Sequence, residues 1–287
     1  MPQDPKVWLI TGAAGGFGRA LVDRALADGA FVVATARDPA VFDDMLAAHA
    51  GRLMPLRLDV AHQRSIDEAI ARAESRFGGI DVLVNNAGYG LIAAVEEATD
   101  AETRLLLETH LFGTIGTIRA ALPGMRARGA GHIVNFSSLA GLTGGAGTAL
   151  YSAAKWGVEG LSEGLAKELA PLGIKVTIVE PGPFQTNFFT TSRRMGERRM
   201  TAYDATAGAY RDRAGRPDLR LPGDPERGAR AIAEIVAAPE PPLRLLLGRF
   251  AYDVALATLD AHRAEIERWK DLTIGADYPD AAGRPWP

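Results

Sequence analysis

The chain has 287 residues, 47% of them hydrophobic, a formal net charge of −3 and no cysteine. That is enough apolar residue for a large core in one or two domains, without the basic field that would attract nucleic acid. The missing cysteines exclude disulfides and thiolate metal sites. No apolar run is long and pure enough to span a bilayer, and no signal peptide precedes the first apolar run, so a cytoplasmic location is expected.

Val7–Thr11 reads as a short buried strand, followed by a glycine-rich turn and a helical pattern through Leu21 and Leu26. Phe31–Ala36 and Leu53–Leu58 are the next strands, and Ile66–Phe77 is a helix. Val82–Val84 is a fourth strand running into Asn85-Asn86-Ala87-Gly88, and Ala101–Arg128 is one long helical stretch. His132–Phe136 is a strand, Tyr151–Leu169 a helix, and Lys175–Val179 and Leu243–Leu247 are the last strands. Apolar strands alternating with helices predict an α/β fold, a Rossmann-type doubly wound parallel sheet covered on both faces. The whole chain, 1–287, reads as one domain. Residues 190–225 carry many charged and small residues and no convincing strand, which marks a substrate lid or a solvent-facing loop. The tail 275–287, rich in Pro and Gly, is expected to be irregular.

The turn Thr11-Gly12-Ala13-Ala14-Gly15-Gly16-Phe17-Gly18 joins the first strand to the first helix. Its glycines let the backbone approach a pyrophosphate, and the helix N-terminus offers free amides, so it is expected to bind a dinucleotide. The second strand ends Ala34-Thr35-Ala36-Arg37, without the carboxylate that usually holds the ribose hydroxyls in NAD sites. Arg37 is available to grip a 2′-phosphate, and Asp38 is expected to turn into the next loop or cap. NADP(H) is therefore preferred over NAD(H), unless Arg37 merely faces solvent and either cofactor binds.

Tyr151 and Lys155 lie one helical turn apart, so both side chains fall on one face. An ammonium beside a phenol favours the phenolate, giving an acid–base group near neutrality. Ser138, from a neighbouring strand end, supplies a hydroxyl that could hold a substrate oxygen. Beside a dinucleotide turn, this trio points to hydride transfer. Asn135 is expected to support the loop backbone. The five histidines show no metal-ligand spacing with acidic partners, and no metal is expected.

These residues resemble the short-chain dehydrogenase/reductase family over roughly residues 6–190. Thr11 to Gly18 matches its TGxxxGxG pattern, and Asn85-Asn86-Ala87-Gly88 its NNAG motif. Asp59-Val60 matches the position near the adenine ring. Ser138, Tyr151 and Lys155 match the catalytic serine and YxxxK pair, and Pro181-Gly182 with Thr186 the turn and threonine near the nicotinamide. The resemblance implies that Tyr151 exchanges a proton with the substrate oxygen and that Lys155 also holds the nicotinamide ribose. It implies that Gly12, Gly15, Gly16, Phe17, Asn86, Ala87, Gly88 and Phe184 contribute to the cofactor site. Where the family has an asparagine in Asn-x-x-Gly, this chain has His110-Leu111-Phe112-Gly113. His110 either preserves a water relay to the lysine or packs structurally.

Leu139, Leu142, Leu150, Phe184, Phe188 and Phe189 are candidate walls of an apolar substrate pocket, or ordinary packing residues. Arg193, Arg194, Arg198 and Arg199 either attract a substrate carboxylate or phosphate or form a solvated helix face. The stretch Pro181–Phe188 resembles the longer hydroxysteroid- and retinol-dehydrogenase-like branch. The expected reaction interconverts a hydrophobic secondary alcohol and a ketone or aldehyde. The alternative is a dinucleotide-binding redox sensor without turnover. The resemblance also implies a homodimer or homotetramer, and the small residues of the Ser152–Ala170 helix would permit close packing.

Overall fold

The structure is a computed structural model in which residues 5–216, 218, 220–278 and 281 are described. In chain order the first half comprises β1 (Val7–Ile10), α1 (Gly16–Ala27), β2 (Phe31–Ala36), α2 (Asp43–Leu46), β3 (Leu53–Arg57), α3 (Gln63–Phe77) and β4 (Val82–Asn85). Next come β5 (Gly90–Ile92), α4 (Asp100–Leu107), α5 (Gly113–Arg128), β6 (Gly131–Phe136), α6 (Ala149–Leu169) and β7 (Ile174–Pro181). The last part holds β8 (Arg193–Met195), α7 (Ala209–Ala214), α8 (Pro225–Ala237), β9 (Arg244–Leu247), α9 (Arg249–Arg268) and α10 (Lys270–Ile274).

Seven strands form one sheet in the order β3-β2-β1-β4-β6-β7-β9, and each pairing is parallel. Alternate side chains of each strand enter opposite cores. Trp8, Ile10, Val32, Val84 and Val134 pack beneath α1 and α8, against Leu21, Leu26, Ile232 and Val236. Leu9, Val33, Leu83 and Ile133 face Ile66, Ile70, Ile118, Met125 and Leu165 of α3, α5 and α6. Two covered faces explain why the strands read as continuous apolar runs. The strand order reverses between β1 and β4, which opens a crevice beyond their carboxyl ends.

The strands expected from sequence form, with slightly shifted ends. The long helix expected over Ala101–Arg128 is broken by a π-helical turn at Glu108–Phe112. The lid region is not strandless: Arg193–Met195 pairs in parallel with Gly90–Ile92, aligning Arg194 with Leu91. Three residues carry too little hydrophobic periodicity to signal a strand, and this one forms only because its partner is already in place. Helix α8 opens on Asp224, whose side chain accepts from the Glu226 and Arg227 amides, with Pro225 in the first turn. Of the tail, α10 ends at Ile274, and Gly275 to Tyr278 hold a turn and a bend. Residues 279–280 and 282–287 of that tail lie outside the described residues.

Candidate active site

The crevice at the sheet's reversal point is a cleft of about 640 Å³. One wall is the turn after β1. Gly12 has φ of 63°, and a Cβ there would lie 2.7 Å from the Ala87 backbone. The Thr11 hydroxyl accepts from the amides of Asn86 and Ala87, both at 3.0 Å, and the Asn86 side-chain amide donates to the Thr11 and Gly12 carbonyls. The turns after β1 and β4 are thus stitched into one unit. Gly12, Gly15, Gly16 and Phe17 line the cleft, as do Asn86, Ala87 and Gly88. Thr11 and Gly18, expected to touch the cofactor, stand behind this wall and shape it instead. A Cβ on Gly18 would come within 2.8 Å of Ala13 Cα.

The N-cap of α1 is Gly15, and no side chain occupies the cap. The first-turn amides therefore remain donors facing a glycine-lined cradle, the donor set a pyrophosphate requires. Arg37, Asp59 and Val60 line the same cleft. Asp38 does not face it as a ribose acceptor; its carboxylate accepts from the Ala40 amide at 3.1 Å, as expected of a cap. At the other end Pro181, Gly182, Phe184 and Thr186 complete the wall. Phe184 is also a core residue, with its ring 4.8 Å from that of Phe17. These residues fit a nicotinamide dinucleotide along their whole run.

Ser138, Tyr151 and Lys155 meet at the cleft's inner end. Tyr151 and Lys155 are 8% and 5% exposed. The Ser138 hydroxyl accepts from the Ala140 amide at 3.1 Å and shares a hydrogen bond with the Tyr151 phenol. Lys155 Nζ donates to the Phe136 carbonyl at 2.7 Å and lies 5.7 Å from the Tyr151 ring centroid. The expected lowering of the phenol's pKa by Lys155 is not found. Burial pushes Tyr151 upward, opposed by the Ser138 hydrogen bond. Burial likewise lowers Lys155 to about 7, opposed by the charge of Glu159. Desolvation is the largest influence on both groups.

His110 lies within the π-helical turn and is buried. Its Nε2 is 2.7 Å from the Tyr89 carbonyl, and its ring meets Tyr151 edge-on at 5.4 Å. Burial, then the Lys155 charge, holds it well below the usual histidine range, so it is neutral near pH 7. Its contacts connect Tyr89 to Tyr151. Asn135 does not bind loop backbone. It accepts from Asn85 Nδ2 at 2.8 Å and donates to Ser162 Oγ at 2.8 Å, tying β4, β6 and α6 together.

Of the expected substrate walls, Phe188 and Phe184 line the cleft, whereas Leu139, Leu142 and Leu150 do not. Leu139 is buried instead, and Leu150 packs into the small core around Tyr151. The side chain of Phe189 lies outside the described residues. The four lid arginines do not share a helix face. Arg193 donates to the Ala214 carbonyl, Arg198 donates to Ala98 O at 2.8 Å, and Arg194 lines the cleft. Sequence reading passed over Tyr89, Leu105 and Thr109, which also line it, as does Asn187 from the expected wall 184–191. Tyr89 could have been found by its place directly after Gly88; Leu105 and Thr109 carry no local signal.

Beneath Lys155, one turn along α6, Glu159 meets Glu180 at the end of β7, and both are buried. Arg244 Nε lies 3.3 Å from Glu159 and 3.4 Å from Glu180. Two carboxylates so placed do not both ionise; burial and then the Glu159 charge raise Glu180 to about 8. The folded protein therefore holds a proton that the unfolded chain releases, and stability contributed here falls as pH rises from about 5 to about 8. Glu180→Gln should flatten that fall in urea titrations at stepped pH; an unchanged slope would place the proton elsewhere. Lys155, with its lowered pKa, acts with the opposite sign above about pH 7 in both proteins.

A family model described as short chain dehydrogenase matches residues 6–197. The chain belongs to the short-chain dehydrogenase/reductase family. It is 35% identical over 272 residues to "Oxidoreductase BOA17" of Botryotinia fuckeliana, covering 94% of this chain and 99% of the relative. It is 36% identical over 247 residues to the 3-ketodihydrosphingosine reductase of Bacteroides thetaiotaomicron, covering 86% and 89%. A crystal structure of a short-chain dehydrogenase from Streptomyces avermitilis superposes with a TM-score of 0.90 at 44% identity, covering 96% of this chain and 100% of that one. A family member from Burkholderia phymatum, in complex with NAD, has a TM-score of 0.78 at 26% identity, covering 92% and 95%. A serine dehydrogenase complexed with NADP+ has a TM-score of 0.72 at 28% identity, covering 84% and 94%. This short-chain dehydrogenase/reductase is thus an NAD(P)-dependent oxidoreductase, which displaces the reading as a sensor without turnover. Related structures hold either dinucleotide.

Proposed function

We propose that the enzyme interconverts a hydrophobic secondary alcohol and its ketone or aldehyde with NADP(H), with Tyr151 as general acid and base. The observation that carries this reading is the Ser138–Tyr151 hydrogen bond beside buried Lys155, on the same cleft as the glycine cradle. A nicotinamide cofactor supplies or accepts the hydride when bound. Gly12, Gly15, Gly16 and the α1 amides would hold its pyrophosphate, and Lys155 its ribose. Ser138 holds the substrate oxygen, and Tyr151 gives that oxygen a proton in reduction or removes one in oxidation. His110 serves by packing, holding Tyr89 against the site. The apolar contribution of Phe188 and Leu105 favours a hydrophobic substrate body and keeps the hydroxysteroid- and retinol-dehydrogenase-like branch as the narrower reading.

NADP(H) is preferred because Arg37 lines the cleft while Asp38 is turned into its cap. The test is a screen of carbonyl compounds for NADPH oxidation, with NADPH and NADH affinities measured by fluorescence. Arg37→Ala should weaken NADPH binding about tenfold or more and leave NADH nearly unchanged. Equal affinity of the unsubstituted enzyme for both would overturn the preference. A cytoplasmic location belongs to the same reading and rests on the cysteine-free composition. So does a homodimer or homotetramer, since Phe112 and Trp156 are 53% and 48% exposed on the α5–α6 side. Sedimentation velocity showing a monomer would remove that element.

A further inference from the structure

Arg194 is the lid arginine whose side chain lines the cleft. Arg211 is buried in an ion pair with Glu97, and Arg244 sits among Glu159, Glu163 and Glu180. Arg193 and Arg198 donate to backbone carbonyls. Among the described residues, Arg194 forms no ion pair, and its recorded contact is the Tyr89 ring, 4.6 Å from its guanidinium carbon. Stacking on an aromatic face immobilises the plane of the guanidinium and leaves its N–H edges free.

That plane is well supported. Arg194 is the central residue of β8, in register with Leu91 of β5. Leu91 is 2% exposed and belongs to the small core that contains Tyr151. Tyr89 is held by the buried His110, whose ring in turn contacts Tyr151. A continuous chain of packed groups thus sets Arg194 relative to the phenol, and both line the same cleft. The acidic residue among the cleft's lining is Asp59, at the far, adenine end, with Oδ1 already accepting from the Ala61 amide. Among the described residues, no acidic side chain lines the cleft at the substrate end beside Arg194.

We propose that Arg194 is an anion-recognition residue of the substrate site, and that the substrate carries a carboxylate several bonds from its reacting carbonyl. The site would pair the carboxylate with the guanidinium edge, lay the apolar body along Phe188 and Leu105, and leave the carbonyl at Tyr151. This rests on the proposed reaction for the carbonyl, but anion recognition itself is measurable without turnover.

The probes are keto acids of graded chain length and their methyl esters. Calorimetric binding to NADPH-loaded Tyr151→Phe protein should favour the acid over its ester about tenfold or more at the best length. Arg194→Leu, in the same background, should abolish the preference and Arg194→Lys restore part of it. Arg199→Ala, which alters a nearby exposed charge, should leave it intact. Acids binding no better than esters at any length would overturn the proposal. So would a preference that survives Arg194→Leu, or a loss of NADPH affinity in that variant, which would assign the guanidinium to the cofactor. Turnover by the unsubstituted enzyme is read separately. Acid preference without any turnover would defeat the oxidoreductase reaction as assigned and leave the anion site standing.

Discussion

Tyr151→Phe is expected to lower kcat by about 10²–10⁴-fold while leaving substrate and cofactor binding nearly unchanged. The substitution removes one oxygen and keeps the ring. The ring contacts to His110 at 5.4 Å and Phe188 at 5.5 Å should persist, so neither the fold nor the cleft shape depends on the hydroxyl. Ser138 retains its bond from the Ala140 amide and stays in place. On the proposed reaction, the expected loss falls on proton transfer alone. The raised pKa of the buried phenol adds a pH expectation. Tyr151 stays protonated through neutrality, ready to act as an acid, so reduction should proceed near pH 7 while oxidation gains as pH rises. Steady-state kinetics in both directions check this. A variant with unchanged turnover would remove Tyr151 from the chemistry, and a large rise in KM alone would make it a binding residue.

The second large effect concerns the lid. Glu97 and Arg211 are 1% and 4% exposed and ion-paired. The same carboxylate accepts from the Ala94 amide at 2.9 Å and the Met200 amide at 3.0 Å. One glutamate thus fastens the segment after β5 to two points of the lid. Glu97→Ala leaves a sequestered guanidinium unpaired and is expected to cost about 3 kcal/mol, the low end for a broken buried pair. Most of that should appear as local opening of the lid, because the sheet cores make no use of the pair. Faster amide hydrogen exchange across residues 193–214, with a raised substrate KM, is the expected signature. Unchanged exchange there would mean that the lid is fastened elsewhere.

The parallel sheet was legible in the sequence because its strands are buried on both faces. Leu9 and Ile10 need no polar alternation, so a short apolar run followed by a glycine turn identifies them. The cofactor cradle was legible for a related reason: a backbone that approaches phosphate needs glycine at particular places, as the φ of 63° at Gly12 shows. The strand Arg193–Met195 was hidden, since its polar residues satisfy no strand pattern and its pairing depends on Gly90–Ile92 being at hand. The helix Arg249–Arg268 was missed because its buried face is minimal: Ala251 and Ala255 are buried, while Tyr252, Leu256, Leu259 and Ile266 are exposed. Whether Leu139, Leu142 and Leu150 were pocket walls or packing residues was open from sequence, because apolar character does not say which cavity a side chain enters.

By itself, the order of residues determined the layered α/β plan, the dinucleotide turn and the Ser138–Tyr151–Lys155 trio. Each is a local pattern whose meaning follows from backbone geometry or helical spacing. Tertiary structure alone decided the charge states and partners. Burial sets the direction of the shifts at Tyr151 and Lys155, Glu180 keeps a proton beside Glu159, and Arg194 is the lid arginine that reaches the cleft on Tyr89. Desolvation and pairing depend on atoms brought together from distant parts of the chain, and spacing along it records neither.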